Sequence, residues 1–139
     1  MVEQEVAFVS GPLDISIEEY DSRYYLRVVE AIKKKHHFVI GDGRGCDAFT
    51  QQILSNFKYP HVTIFHMFKK PRHLAEKKWK VMGGYRTDIE RDEAMTKNST
   101  YDIAVPRTIE EQKKIYGSRY RPRKSGTQKN LERRTNLKS

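Results

Sequence analysis

Phe38-Val39-Ile40-Gly41-Asp42-Gly43-Arg44-Gly45-Cys46-Asp47-Ala48 joins two different patterns. Phe38 to Ile40 is a short apolar run bounded by glycine and reads as a buried strand end. Ala48-Phe49-Thr50-Gln51-Gln52-Ile53-Leu54 reads as a helix. Gly41, Gly43 and Gly45 let the backbone between them approach a neighbour closely and reach positive φ. A glycine turn between strand and helix points free N–H groups at whatever sits there, and the helix dipole favours an anion. Arg44 adds a fixed guanidinium fork suited to phosphate. The turn is therefore either a phosphate or nucleotide cradle, built by Gly41, Asp42, Gly43, Arg44, Gly45 and Asp47, or a tight β–α connection whose glycines serve geometry alone.

The same alternation extends on both sides of this stretch. Glu5 to Ser10 is an apolar strand, read as central because it does not alternate. Ser10-Gly11-Pro12 turns sharply. Ser16 and Glu19 have capping-box spacing, and Ile17, Tyr20, Tyr24, Val28, Ala31 and Ile32 recur with helical period up to Lys33-Lys34-Lys35. Val62 to Met67 is a third strand. Strand and helix alternate at short intervals, which predicts a parallel sheet with helices on both faces. Phe68 to Met82 reads as a basic loop with a helical turn at Ala75 to Trp79, broken by Gly83-Gly84. Thr87 and Glu90 open a further helix to about Lys97, and Tyr101 to Val105 is a fourth strand stopped by Pro106.

The 139 residues make one domain with a modest core, residues 1–139, carrying a basic segment at 107–139. Its formal charge is +9, and Arg107 to Ser139 holds eleven Lys or Arg against three Glu. That balance favours an anionic partner. A single cysteine excludes internal disulfides and a zinc cluster, and points to a reducing compartment. No apolar run has the length of a membrane span. The reading is a cytoplasmic or nuclear protein with no membrane partner, no metal and no cofactor; a homo-oligomer is compatible with it. Adjacent His36 and His37 point apart and are not read as metal ligands. Cys46 is read as a small packing residue.

Asp88, Arg91, Asp92 and Met95 share one helix face. It reads either as a solvated face or as a row facing a ligand, with Asp88, Arg91 and Asp92 as the catalytic candidates. Arg107 to Lys124 is a long charged connection with helical character at Ile109 to Tyr116, which suggests a functional or mobile loop. Ser125-Gly126-Thr127 then starts a last helix, Gln128 to Leu137, and offers a second anion-binding helix start. In a doubly wound sheet the loops after the strands gather at one edge, where ligands bind. Ser10-Gly11-Pro12, the turn at 41–45 and Ser125-Gly126-Thr127 are expected to converge there.

At these residues the chain resembles the SLOG superfamily, the Rossmann-like group of the DNA-processing protein DprA and the LOG phosphoribohydrolases. Val39 to Ala48 looks like that family's Gly-x-Ala-Arg-Gly-x-Asp turn. Arg91-Asp92-Glu93-Ala94-Met95 is similar to its Arg-x-x-x-Met helix, and Ser125-Gly126-Thr127 stands where the family carries a Gly-Thr or Ser-Gly-Ser turn. Val9-Ser10-Gly11-Pro12 resembles the start of nucleoside 2-deoxyribosyltransferase-like proteins. The resemblance runs from about Val6 to Glu132. It implies a Rossmann-like three-layer α/β domain with a mostly parallel sheet of about four to five strands, and a nucleotide-related ligand. In the phosphoribohydrolases an Arg on the Met-bearing helix and a Glu three residues after the Gly-Thr assist glycosidic cleavage. Arg91 matches the first, but the second position is Asn130, which is no acid or base. Glu132 lies about 200° round the helix and points away. Asp88, Asp92, Asp42 or Asp47 would have to supply a carboxylate.

Three functions follow as expectations. The first is a nucleotide-binding or nucleotide-sensing domain, with phosphate on the amides of 43–45 and 126–127 and Arg44 and Arg91 neutralising it. The second is an N-glycosidase or deoxyribosyltransferase acting on nucleoside 5′-monophosphates through Asp88 or Asp92. The third is a single-stranded nucleic-acid binder whose basic residues from 107 to 138 track phosphates, with Tyr116 and Tyr120 stacking on bases.

Overall fold

A computed structural model describes residues 3–138. Five strands, β1 (Val6–Ser10), β2 (His37–Gly41), β3 (Val62–Met67), β4 (Lys80–Tyr85) and β5 (Tyr101–Ala104), form one sheet in the order β4-β3-β2-β1-β5. Every neighbouring pair is parallel. The chain steps outward from β1 to β4 and then returns to the far side of β1. Right-handed crossovers make that reversal change faces, so β1 and β5 flank the topological switch point. The result is a Rossmann-like three-layer domain.

Helix α1 (Ile17–Tyr20) passes through a wider π-turn at Asp21–Tyr25 into α2 (Leu26–Lys33). Together with α3 (Cys46–Asn56) this covers one face. Tyr20, Tyr24, Val28, Ala31 and Leu54 pack there on Ala7, Val9, Phe38, Ile40 and Ile64. The alternate strand residues Phe8, Val39 and Phe65 point the other way, to Met95 and Ala94 of α4 (Asp88–Lys97). Helix α6 (Gly126–Lys138) lies against α4 and β5 on that second face. Ser16 caps α1 through the Glu19 N–H at 3.0 Å, as its spacing predicts.

One reading needs correction. Lys80–Tyr85 is a fifth strand, not a loop broken at Gly83-Gly84. It escaped because it is an exposed edge strand with no buried apolar face, and its glycines look like breakers. In the connection 107–124 the helical stretch expected at Ile109 to Tyr116 is present, and residues 107–116 are anchored. Thr108 and Glu111 form a reciprocal capping box opening α5 (Ile109–Tyr116). Arg107, 6% exposed, bonds Asp14 and Glu19 at 2.8 Å each, and Tyr116 donates to Asp14 at 2.8 Å. Arg23 also pairs with Glu111.

At the switch point the hydroxyl of fully buried Tyr24 donates to the Ser10 carbonyl at 2.8 Å and accepts the Val105 N–H at 3.1 Å. It joins two strand ends whose following loops diverge. Tyr24→Phe leaves both backbone groups unpaired and is expected to cost about 1–3 kcal/mol, read as a lower urea midpoint with an unchanged slope.

Candidate functional site at the carboxyl edge

Asp42 follows β2 and its carboxylate is wholly buried. Its Oδ2 accepts the Arg72 backbone N–H at 2.9 Å and Nε at 3.1 Å; its Oδ1 accepts Arg72 Nη2 and Arg91 Nη1, each at 2.9 Å. Burial works against its charge, but the Arg72 hydrogen bonds and the two guanidinium charges outweigh it and hold the carboxyl below its ordinary range. Arg91 in the first turns of α4 is 10% exposed at its side chain. Its Nη2 also lies 3.2 Å from Asp92 and 3.5 Å from Asp88. Asp92 in turn accepts from Asn130, which α6 presents one turn inside its start. Burial pushes the Asp92 carboxyl up despite Arg91 and Asn130.

Asp47 sits on the first turn of α3, where it accepts the Gly43 N–H at 3.1 Å. Among the described residues it forms no direct ion pair. Burial pushes its carboxyl up to about 6; Arg91 and the Gly43 N–H oppose that, while Asp92 and Asp42 add to it. One guanidinium, Arg91, thus faces more carboxylate than it can neutralise.

The glycines answer to this filling. A Cβ on Gly41 would stand 2.6 Å from Asp47 Oδ2 and 3.2 Å from Arg91 Cζ. Gly45 has φ +70°, and a Cβ there would meet the Pro12 carbonyl oxygen at 2.7 Å. The Pro12 carbonyl accepts the Cys46 N–H at 3.2 Å. The loop after β1 therefore lies directly on the turn after β2. Gly11 is needed for the same contact, since its Cβ would strike Tyr24 and Cys46. Cys46 is buried and its thiol is pushed up by burial, so it packs and does not react.

The other candidates separate. Arg44 is exposed. Asp88 is 66% exposed at its side chain. Met95 does not face the site: it is 1% exposed in the core beside Phe8, Val39 and Phe65. Only the first turns of α4 overhang the sheet edge; by Met95 the same helix face lies on the sheet. Ser10 is buried and its Oγ has no partner. Ser125 caps α6, accepting the Gln128 N–H at 3.1 Å; Gly126 is exposed and Thr127 is buried. The contacts bring Ser10 to Pro12, residues 41–47, Asp88, Arg91 and Asp92 together, and Asn130 ties the start of α6 to them.

Arg72 and Gln51 were missed, and Asn130 was read only as a position unable to act as acid or base, not as a partner of Asp92. Arg72 lies in the basic stretch whose pattern gave no element. Gln51 stands one turn after Asp47 and fixes that stretch, donating to the Gly41 and His73 carbonyls at 3.2 and 3.1 Å and accepting the Ala75 N–H at 2.9 Å. Its i, i+4 spacing from Asp47 was the available signal. Tyr116 is engaged with Asp14 and Arg107, and Lys113 lies over the Tyr120 ring at 5.7 Å. Lys113, Lys114, Arg119, Arg121, Arg123 and Lys129 remain exposed.

Two hollows, of about 370 and 470 Å³, open at the opposite, amino edge, one beside β5 and α2 and the other below β2 and β3. The carboxyl edge is filled by the ion network. Among the described residues no group of three or more His, Cys, Asp or Glu could hold a metal ion, and no helix is long and apolar enough to cross a membrane.

No family model, no curated protein and no solved structure matches this chain.

Two outcomes follow from the network. Arg91→Met takes from buried Asp92 its direct ion-pair partner and from Asp42 one of its two guanidinium partners, Arg72 remaining; it is expected to cost about 3–5 kcal/mol at pH 7, with a smaller loss at low pH where the carboxyls protonate. Urea denaturation at pH 4.5 and 7.5 measures both. Asp47 holds its proton more tightly folded than unfolded, so its contribution falls as pH rises from about 4 to about 6. Asp47→Asn removes that fall. Its stability relative to the parent should rise across this window by at most about 2–3 kcal/mol and stay level above it.

Proposed function

We propose that the carboxyl edge binds a nucleotide or nucleotide-derived phosphorylated ligand. The observation that carries this reading is that the starts of α3, α4 and α6 are tied to one another at the switch point by the Asp42–Arg91–Asp92–Asn130 chain. Helix starts attract anions. The Gly43 amide serves Asp47, which leaves the Arg44 and Gly45 N–H groups, the exposed Arg44 guanidinium and the opening amides of α6 for phosphate. Lys69, Lys70 and Arg86, all exposed, follow β3 and β4 at the same edge and add positive charge to its rim.

A second reading is favoured by the carboxylates. Asp47 and Asp92 both hold their protons more tightly than ordinary aspartates, as a group working in acid–base chemistry near neutrality must. On that reading the site cleaves or transfers the N-glycosidic bond of a nucleoside 5′-monophosphate. Free base released from such substrates, and lost in Asp92→Asn, separates it from binding alone.

The test is thermal unfolding with nucleoside 5′-mono-, di- and triphosphates. At a hundredfold excess over Kd at least one should raise Tm by roughly 5–10 °C, and Arg44→Ala, an exposed change, should reduce that shift without lowering the ligand-free Tm. A Tm unmoved by the whole panel overturns the reading. Oligonucleotide binding that falls steeply between 50 and 200 mM salt, by about a hundredfold or more, and is untouched by Arg44→Ala would assign the anion to the basic segment instead.

A further inference from the structure

The hollow of about 470 Å³ at the amino edge has no part in the ion network, and its walls follow from strand register. Phe38 pairs with Val62, so His37 and His61 stand side by side one position earlier on the same two strands. Thr63 pairs with Val39 of β2 and with Lys80 of β4, and Phe65 pairs with Met82. Side chains alternate along a strand. Phe38, Val62 and Ile64 face α2 and α3, so His37, His61, Thr63, Lys80 and Met82 share the other face with Val39 and Phe65. Helix α4 covers that face only in part: it ends at Lys97, and Asn98 lines the hollow. Thr63 is half-buried and His61, Lys80 and Met82 are exposed, so the hollow opens to solvent.

The charge of this hollow is one-sided. His37 and His61 stack face to face, with ring centres 4.4 Å apart and planes within 10°. Lys78 and Lys80 line the same space, and among the described residues no aspartate or glutamate lines it. In the flanking segments the Glu76 carboxylate takes the Lys78 backbone N–H at 3.3 Å, and the Glu5 carboxylate takes the Thr100 hydroxyl at 3.1 Å. The connections entering β2 to β5 bring Lys33, Lys34, Lys35, Lys58, Lys77 and Lys97, all exposed, to this edge of the parallel sheet, against Glu3, Glu5, Glu30 and Glu76. Burial, and then the neighbouring His61, push the His37 imidazole below its ordinary range. A multiply charged anion between the rings and the lysines would relieve that repulsion.

The spacing of the donors says which anion fits. They stand on three adjacent strands, which span about 10 Å. One carboxylate presents two oxygens to one side, whereas linked phosphates present several oxygens along their length. We infer that the hollow is a second anion site that binds a diphosphate group, with Lys78 and Lys80 supplying fixed charge and the His37–His61 pair supplying ring N–H donors. The inference is independent of the nucleotide reading, which concerns the opposite edge of the sheet.

The test is NMR of the histidine rings in the full chain, titrated with inorganic pyrophosphate and, as a control, with sodium chloride at matched ionic strength. The His37 and His61 resonances are expected to move saturably with pyrophosphate, while those of buried His66 stay. Lys78→Gln combined with Lys80→Gln, both exposed, should weaken pyrophosphate at least about tenfold without lowering the ligand-free Tm. Arg44→Ala at the other edge should leave that affinity unchanged. Sulfate, whose charge is constant between pH 6 and pH 8, should bind several-fold more weakly at pH 8, because the imidazoles have lost their protons. Ring shifts that chloride reproduces, or a pyrophosphate affinity that the lysine variant keeps, overturn the site. Sulfate binding level with pH removes the imidazoles from it and overturns it too. Pyrophosphate binding lost in Arg44→Ala places the anion at the carboxyl edge, which overturns this inference and supports the nucleotide reading. Silence from pyrophosphate overturns the amino-edge site and leaves the nucleotide reading to its own test.

Discussion

A guanidinium held nearly out of water must be matched by carboxylates, or the fold cannot keep it. Arg91 is that group, and the match comes from separate parts of the chain. Asp42 brings the turn after β2, Arg72 brings the loop after β3 onto the same carboxylate, and Asp92 brings the start of α6 through Asn130. Buried ion pairs of this kind add little net stability over apolar packing, but a broken one is costly. Their effect here is to dictate which loops meet. The hydrophobic layers fix the sheet; the Asp42–Arg91 pair fixes what stands above its carboxyl edge.

The glycine turn takes its shape from the same requirement. Gly41 is bare because Asp47 and Arg91 occupy the space its side chain would need, and Gly45 is bare because the loop at Pro12 and Leu13 presses on it. Each glycine therefore has an internal reason, whatever else the turn does. Outside the buried ion network, Arg44, Lys69, Lys70 and Arg86 are exposed at the same edge.

Much of the architecture was legible because its signals are local. Alternation of apolar runs with helical periodicity gave the parallel α/β sheet, and Ser16 and Thr87 marked helix starts through bonds to residues three positions on. Lys80–Tyr85 was illegible for the opposite reason: all of this edge strand but Tyr85 is exposed, so no pattern in its composition records the pairing with β3. Met95 shows the limit of helical spacing. It shares a face with Arg91, yet the rise of about 6 Å over four residues of α4 separates a residue on the ion network from one packed on the sheet.

By itself the sequence determined the layers, the order of elements and the glycine turn, since each depends on residues within a few positions of one another. It also held every residue of the carboxyl-edge network. Tertiary structure alone decided how they pair. Asp42 meets Arg72 thirty residues away and Arg91 forty-nine away, and no local periodicity encodes a contact of that span. Charges so placed find partners only when the sheet brings its loops to one edge, and the low dielectric there makes those pairings obligatory.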